Sequence, residues 1–279
     1  MKPEKAQRAP VSGVDLSAAK EMEPTAEFVS LAEGAGIEFE PGDVEKLGRY
    51  LGMLLHFNTT TNLTSVTEPA EAWRRHILDS LMLLPVLAEL PENAAVIDVG
   101  SGGGLPGVPL AITNPKVRFT LLEVTGKKAD FLREVVKLLK LENVRVHQER
   151  AERAGQDRGE KTATGRVNAH RESYDLVIAR AVGRLNTLAE LTVPFAKVGG
   201  RCALVKGEKA AEEVAEAAEA LQILNAVYVD TLETPTSRIV ILDKNSATPR
   251  TYPRADGEPK RAPLGAKSAK RGEGAEKEE

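Results

Sequence analysis

Apolar positions recur every three or four residues over much of residues 25–90, then gather into short runs separated by turns from Ala94 onward. The first pattern predicts helices. Thr25-Ala26-Glu27 opens one that Gly34 and Gly36 close, and Pro41-Gly42-Asp43 leads into a second with Val44, Leu47, Leu51, Leu54 and Leu55 on one face. A third is expected over residues 69–90, carrying Trp73, Ile77, Leu81 and Leu84, with Pro85 as a bend. Residues 1–24 are rich in Lys, Glu, Ala and Pro without periodicity and read as a disordered tail.

The second pattern predicts strands alternating with helices. Strands are expected at 95–99, 117–123, 144–146, 174–179 and 201–206, with amphipathic helices at 127–141 and 208–221. Two last strands, 226–232 and 238–242, have only a short connection between them. They must pair antiparallel, because a parallel crossover needs about a dozen residues or more. The expectation is an α/β protein with a doubly wound, seven-stranded sheet and an antiparallel final hairpin, preceded by a helical extension. Such a Rossmann-like sheet is the pattern of class I methyltransferases, at the level of fold analogy. The division is therefore a tail (1–24), a helical region packed on the core (25–92), the core (93–243) and a basic flexible tail (244–279), with a surface loop over 154–172.

Composition narrows the classes. The chain of 279 residues is 42% hydrophobic and 28% charged, as soluble globular proteins are. No stretch approaches the roughly 18 to 20 apolar residues of a membrane helix. The N-terminus has no apolar h-region, and a cytoplasmic monomer is expected. Cys202 is the only cysteine, so thiolate metal clusters are excluded, and the four histidines lack ligand spacing. No metal is expected.

The most informative segment is Val96-Ile-Asp98-Val-Gly100-Ser-Gly102-Gly-Gly104-Leu105-Pro106-Gly107, where a strand meets a helix. Ligands bind at such points in open α/β sheets. Gly102, Gly104 and Gly107 satisfy the dinucleotide spacing G-x-G-x-x-G. Two features oppose a pyrophosphate. Asp98 would repel phosphate and attract the ammonium of S-adenosylmethionine, while Pro106 and Pro109 remove N–H groups that a phosphate would use. Glu123, about 20 residues on at a strand end, is placed for ribose hydroxyls, which suits either cofactor.

Other candidates follow the strands. Arg180 in Ile178-Ala-Arg180-Ala-Val182 ends the fourth strand at the cleft, to position a base or the cofactor, or to pair with a nearby acid. The Asn/Asp-Pro-Pro-aromatic segment of exocyclic-amine methyltransferases is absent there. Cys202, within an apolar strand, reads as buried rather than as the nucleophile of pyrimidine-C5 methylation. A ring nitrogen such as guanine N7 needs neither, because its lone pair attacks without loss of a proton. No catalytic base is assigned; rate would come from alignment. Lys127 and Lys128 oppose a helix dipole and could meet phosphates or simply be solvated. His76 has Asp79 and Ser80 as helical neighbours, for a structural bond between helix and sheet or for substrate contact. Residues 244–271 carry eight Lys/Arg against Asp256 and Glu258, a net +6, and could follow a phosphate backbone or only solubilise the chain.

Asn62-Leu-Thr-Ser-Val66, Arg75-His-Ile-Leu-Asp-Ser-Leu81, Ile97-Asp-Val-Gly-Ser-Gly-Gly-Gly-Leu-Pro-Gly-Val-Pro-Leu110 and Ala179-Arg-Ala181 follow one another in order. Together they resemble the RsmG/GidB family of small-subunit ribosomal RNA guanine-N7 methyltransferases, over about residues 25–243, and the tail from Tyr252 to Leu264 is similar to that of its long members. The resemblance implies S-adenosylmethionine contacts at Gly100, Leu105, Glu123-Val124-Thr125, Ala151-Glu152 and Arg180, and a guanine of 16S ribosomal RNA, free or within the 30S subunit, as substrate. Thr234-Pro-Thr-Ser237 departs from the family's charged turn. A small-molecule methyltransferase, an NAD-dependent oxidoreductase and a non-catalytic RNA-binding factor remain the alternatives.

Overall fold

A computed structural model describes residues 13–162, 165–167, 169–180 and 183–266. The N-terminal helices form where their caps and apolar stripes allow. α1 (Ala26–Gly34) starts at Thr25, whose hydroxyl accepts the Phe28 N–H at 3.1 Å. α2 (Asp43–Asn58) starts from a left-handed Gly42 and buries Leu47, Leu51 and Leu54. The expected third helix is segmented: α3 (Pro69–Ala72), a π-helical turn at Trp73–Leu78, α4 (Asp79–Leu81) and α5 (Leu84–Ala88), with Pro85 in the first turn of the last. Phe28 packs on Trp73 with ring centroids 4.6 Å apart and joins α1 to this bundle.

The remaining elements are β1 (Ala95–Val99), α6 (Gly107–Thr113), β2 (Arg118–Leu122), α7 (Gly126–Leu138), β3 (Val144–His147), α8 (Ala151–Ala154), β4 (Glu160–Thr162), β5 (Gly165–Val167), β6 (Tyr174–Arg180), α9 (Leu185–Thr192), β7 (Ala196–Lys206), α10 (Ala210–Leu224), β8 (Ala226–Glu233), β9 (Arg238–Lys244) and α11 (Glu258–Arg261). Seven strands form one sheet in the order β3-β2-β1-β6-β7-β9-β8; β9 runs antiparallel to both neighbours, and the other pairings are parallel. The expected doubly wound sheet and its terminal hairpin are therefore present. Side chains alternate across it as strand geometry requires. Val96, Phe119, Leu121, Leu176 and Ile178 meet the N-terminal helices, α6 and α7, while Ile97, Val99, Val177, Ala179 and Leu204 meet α9 and α10.

Three expectations are corrected. Residues 13–24 are ordered against α2 rather than loose: Leu16 is buried, and the Met22 N–H donates to the Gly48 carbonyl at 3.1 Å. A Cβ on Gly52 would fall on the Lys20 carbonyl, so glycine lets this segment lie flat on the helix. Residues 1–12 of the expected tail lie outside the described residues. The loop expected over 154–172 contains the β4–β5 hairpin and ends in a buried Arg171.

The largest correction is at the C-terminus. Residues 245–266 are a strap docked on the core, not a flexible tail. Lys244 is fully buried, with Nζ donating to Glu172 Oε1 at 2.9 Å and to the carbonyls of Val193 and Ala196. The Arg171 guanidinium donates to the carbonyls of Gly155, Thr248, Pro249 and Tyr252. Arg254 grips Glu190, a carboxylate with no exposed surface, through Nε at 2.8 Å and Nη2 at 2.6 Å. Asn186 and Thr187 then donate to the strap carbonyls of Leu264 and Pro259. Residues 267–279 lie outside the described residues.

Candidate active site

The carboxyl ends of β1, β2 and β3 open onto a cavity of about 590 Å³. Of the residues singled out from sequence, Gly100, Glu123, Val124, Ala151 and Glu152 line it together. Asp98, Leu105, Thr125 and Arg180 do not. Leu105 is buried beneath the loop, and Thr125 caps α7 and donates its N–H to Glu123 Oε1 at 2.7 Å.

The glycine loop is wound by its own hydrogen bonds. The N–H groups of Gly100 and Ser101 both donate to the Leu122 carbonyl, those of Gly104 and Leu105 to Ser101, and that of Val108 to Gly104. Gly102 N–H donates to Glu123 Oε2 at 2.9 Å and Gly107 N–H to Asp98 Oδ2 at 3.1 Å. Pro106 has no N–H to give. A phosphate cradle needs convergent free N–H groups at a helix start, and apart from Gly103 the loop's N–H groups go to the carbonyls of Leu122, Ser101 and Gly104 and to two carboxylates. The Rossmann-like glycine spacing is therefore not matched by an anion site. Gly104 and Gly107 are required sterically: a Cβ on Gly104, already at φ +99°, would meet Val108 at 2.7 Å, and one on Gly107 would meet Leu121 at 2.4 Å.

Asp98 sits beneath this loop, fully buried. Its Oδ1 has no hydrogen-bond partner. Burial pushes its pKa up to about 7, opposed by the Gly107 N–H and the charge of Arg180, while the neighbouring Ser101 hydroxyl donates to the Asp98 backbone carbonyl at 2.9 Å rather than to the carboxylate. A buried carboxylate oxygen without a donor is costly unless a cation completes it. Glu123 is the second acid: both of its oxygens hold loop N–H groups, and each retains a lone pair. Val124 stands 51% exposed at the cavity wall, a bare apolar surface of the kind a nucleobase covers.

Arg180 points to the other side of the loop. Its Nη1 donates to the Arg75 carbonyl at 3.1 Å and lies 3.5 Å from Asp79 Oδ2. Asp79 Oδ1 accepts the hydroxyls of Thr236 at 2.6 Å and Ser237 at 2.5 Å. The Thr-Pro-Thr-Ser turn thus ties the segmented helix to the sheet through Asp79, and the Ser80 hydroxyl donates to the His76 carbonyl within the helix. His76 Nε2 lies 2.8 Å from the Thr64 hydroxyl, and burial followed by the Arg180 charge drives its pKa down to about 4. The ring is neutral and a weak base. Cys202 is buried, and burial pushes its thiol up to about 12, which leaves it no nucleophilic role.

Two walls escaped the sequence reading. Arg184, Thr187 and Leu191 of α9 form one, and Gly257, Lys260 and Pro263 of the strap the other. Glu152 Oε1 accepts the Gly257 N–H at 2.8 Å, so the strap is latched to a cavity residue. Arg150 and Arg153 hold Asp256 beside it. The available signal was Glu190, the one charged residue in the mostly apolar segment Leu188–Phe195, since such an acid needs a distant cation. Among the described residues, no group of three or more His, Cys, Asp or Glu is placed to hold a metal, and no helix is long and apolar enough to cross a membrane.

Strand order and the antiparallel terminal hairpin define the class I methyltransferase fold. The chain belongs to the GidB family, rRNA small subunit methyltransferase G, whose model matches residues 43–240. It is 46% identical to the ribosomal RNA small subunit methyltransferase G of Sorangium cellulosum over 82% of this chain and 92% of that one. The proteins of the same name from Ligilactobacillus salivarius and Moorella thermoacetica are 34% and 36% identical, each over 85% of this chain and 98% and 97% of their own lengths.

Proposed function

We propose that the protein transfers the methyl group of S-adenosylmethionine to N7 of a guanine in 16S ribosomal RNA, free or within the 30S subunit. The observation that carries the cofactor reading is the loop whose N–H groups turn inward while Asp98 Oδ1 stays buried without a partner. That combination disfavours a diphosphate and suits an ammonium. In this reading Asp98, sealed beneath the loop, supplies negative charge toward the amino group, Glu123 offers its remaining lone pairs to the ribose, and Val124 and Ala151 flank the nucleobase. Glu152 and the strap close its outer edge. Gly100, Leu105 and Thr125 fix the shape of the loop, and Arg180, held by Asp79, faces the methionine end.

The RNA target is supported by the names of the relatives and by the family. Position N7 is supported by chemistry. The bound cofactor supplies an electrophilic methyl group, and guanine N7 attacks with an in-plane lone pair and releases no proton. His76, with its pKa near 4 and its Nε2 beside Thr64, is no general base, and Cys202 is inaccessible. Holding two reactants in line is then the protein's contribution. The test is incubation with methyl-labelled S-adenosylmethionine and 16S RNA, 30S subunits or no RNA, followed by cleavage at N7-methylguanosine. Label at one cleavable guanine is expected. Label on an exocyclic amine, a ribose or no RNA would refute the assignment.

A further inference from the structure

The face of the sheet toward α9 breaks its own pattern at β2 and β3. Leu122 belongs to the core there, but the preceding same-face positions of β2 are Thr120 and Arg118, and β3 presents His147 and Arg145. Strands of a parallel sheet are ordinarily apolar on both faces because crossover helices cover them. Here the connection from β3 to β6 provides only the four-residue α8 and the short β4–β5 hairpin. Two adjoining cavities, of about 550 and 470 Å³, lie along this region and share Ala169 and Ser173.

The first cavity is lined by Arg118, Arg145 and a column of rings. His147 and His170 lie with ring centroids 4.3 Å apart and planes inclined at 41°, His170 and Tyr174 are near-parallel with centroids 6.1 Å apart, and the Tyr174 hydroxyl meets His170 Nδ1 at 2.7 Å. The second carries Arg158, Arg171 and, from the strap, Arg250. Two acids share the lining. Glu172 is taken by Lys244 and the Thr248 N–H, and Glu142 stands at the far end. Arg171 is consumed by backbone carbonyls. Arg118, Arg145 and Arg250 take part in none of the ion pairs among the described residues, and Arg118 spends only its Nε, on the Asn93 carbonyl at 3.3 Å. Arg118 and Arg145 sit diagonally on one face of neighbouring strands and line the same cavity, so an anion there would meet two positive charges.

We infer that this groove binds a single-stranded segment of RNA, with Arg118, Arg145 and Arg250 on successive phosphates and the His147–His170 rings as a stacking surface. Positive grooves with ring platforms are how single strands are held without sequence preference. The choice of RNA over a smaller phosphate compound rests on the RNA substrate proposed above. Arg250 lies beyond residue 240, where the family match ends, so the strap adds to the groove as well as to the cofactor cavity.

The test compares the full-length wild type with an R118Q/R145Q/R250Q variant, measuring affinity for a labelled single-stranded RNA oligonucleotide across a salt series. Three lost phosphate contacts should lower the slope of log Kd against log salt by about 2, at roughly 0.7 per contact, and weaken binding at least about tenfold at low salt. Affinity for S-adenosylmethionine, measured on the same samples, should not change. An unchanged RNA slope overturns the groove, as does full competition by inorganic phosphate with no dependence on RNA length. Photo-cross-linking of thiouridine RNA to the wild type needs no variant: label is expected on the peptide containing His147 or His170, and its absence there counts against the groove. Wild-type methyl transfer, assayed alongside, separates the two readings. Transfer with an unchanged slope sinks the groove alone, and a changed slope without transfer sinks the N7 assignment alone.

Discussion

Replacing Asp98 by Asn should stabilise the cofactor-free protein at pH 8 while removing its affinity for S-adenosylmethionine. The carboxylate is fully buried, with Oδ2 on the Gly107 N–H and Oδ1 on nothing. Burial raises its pKa from 3.8 to about 7. The folded state therefore holds this proton more tightly than the unfolded chain does. The group's contribution to stability is complete below about pH 4 and is lost as pH rises through 7. A gap of about 3 pH units at ~1.4 kcal/mol per unit makes that loss about 4 kcal/mol. Asn keeps an oxygen for Gly107 and never ionises. Its advantage over the wild type should grow by about 3 kcal/mol between pH 5 and pH 8, read as unfolding free energy in urea. Because an ammonium selects the ionised carboxylate, wild-type affinity for the cofactor should fall by up to about tenfold per unit as pH drops below 7. A stability difference between the two proteins that does not vary with pH, or an Asp98→Asn variant with wild-type cofactor affinity, would refute this account of the loop.

Three further outcomes follow from the same structure. Arg254→Ala leaves Glu190 buried without its cation and should cost about 3–5 kcal/mol in urea unfolding, with weakened cofactor binding because the strap walls the cavity; an exposed-pair effect below about 1 kcal/mol would contradict a docked strap. Gly107→Ala places a Cβ 2.4 Å from Leu121 and 2.8 Å from Asp98 Oδ2, so calorimetry should find cofactor binding lost and melting should find a destabilisation of roughly 1–3 kcal/mol. Cys202 should resist thiol reagents at pH 8 in the folded protein and react fully in denaturant, since its thiol is buried with a pKa near 12; rapid native labelling would show an open β7.

The legible parts of this protein are those whose signal is local. The run Ala95–Val99 ends in a glycine turn, and the two last strands are too closely joined to run parallel, so topology followed from spacing and handedness. The cofactor loop was legible as a chemistry, an acid and two prolines where phosphate would need free N–H groups. The reason it disfavours phosphate was only half visible, because the inward bonds to Leu122, Glu123 and Asp98 depend on folded geometry. The strap was illegible for a physical reason. It is held mainly through backbone carbonyls and single ion pairs, Arg171 to four carbonyls and Arg254 to Glu190, and such anchors leave no hydrophobic period. Arg180 shows the same limit: its partner Asp79 lies far away in the chain, although an acid partner for it was one of the readings the sequence left open.

The central claim is that the cavity at the carboxyl ends of β1 to β3 accepts a positively charged, phosphate-free nucleoside. Titrating the purified protein with S-adenosylmethionine and, separately, with NAD⁺ in a calorimeter tests it most directly. The expected result is saturable binding of S-adenosylmethionine at one equivalent, lost in the Asp98→Asn variant, and no heat from NAD⁺. Saturable binding of NAD⁺ that displaces S-adenosylmethionine would contradict it.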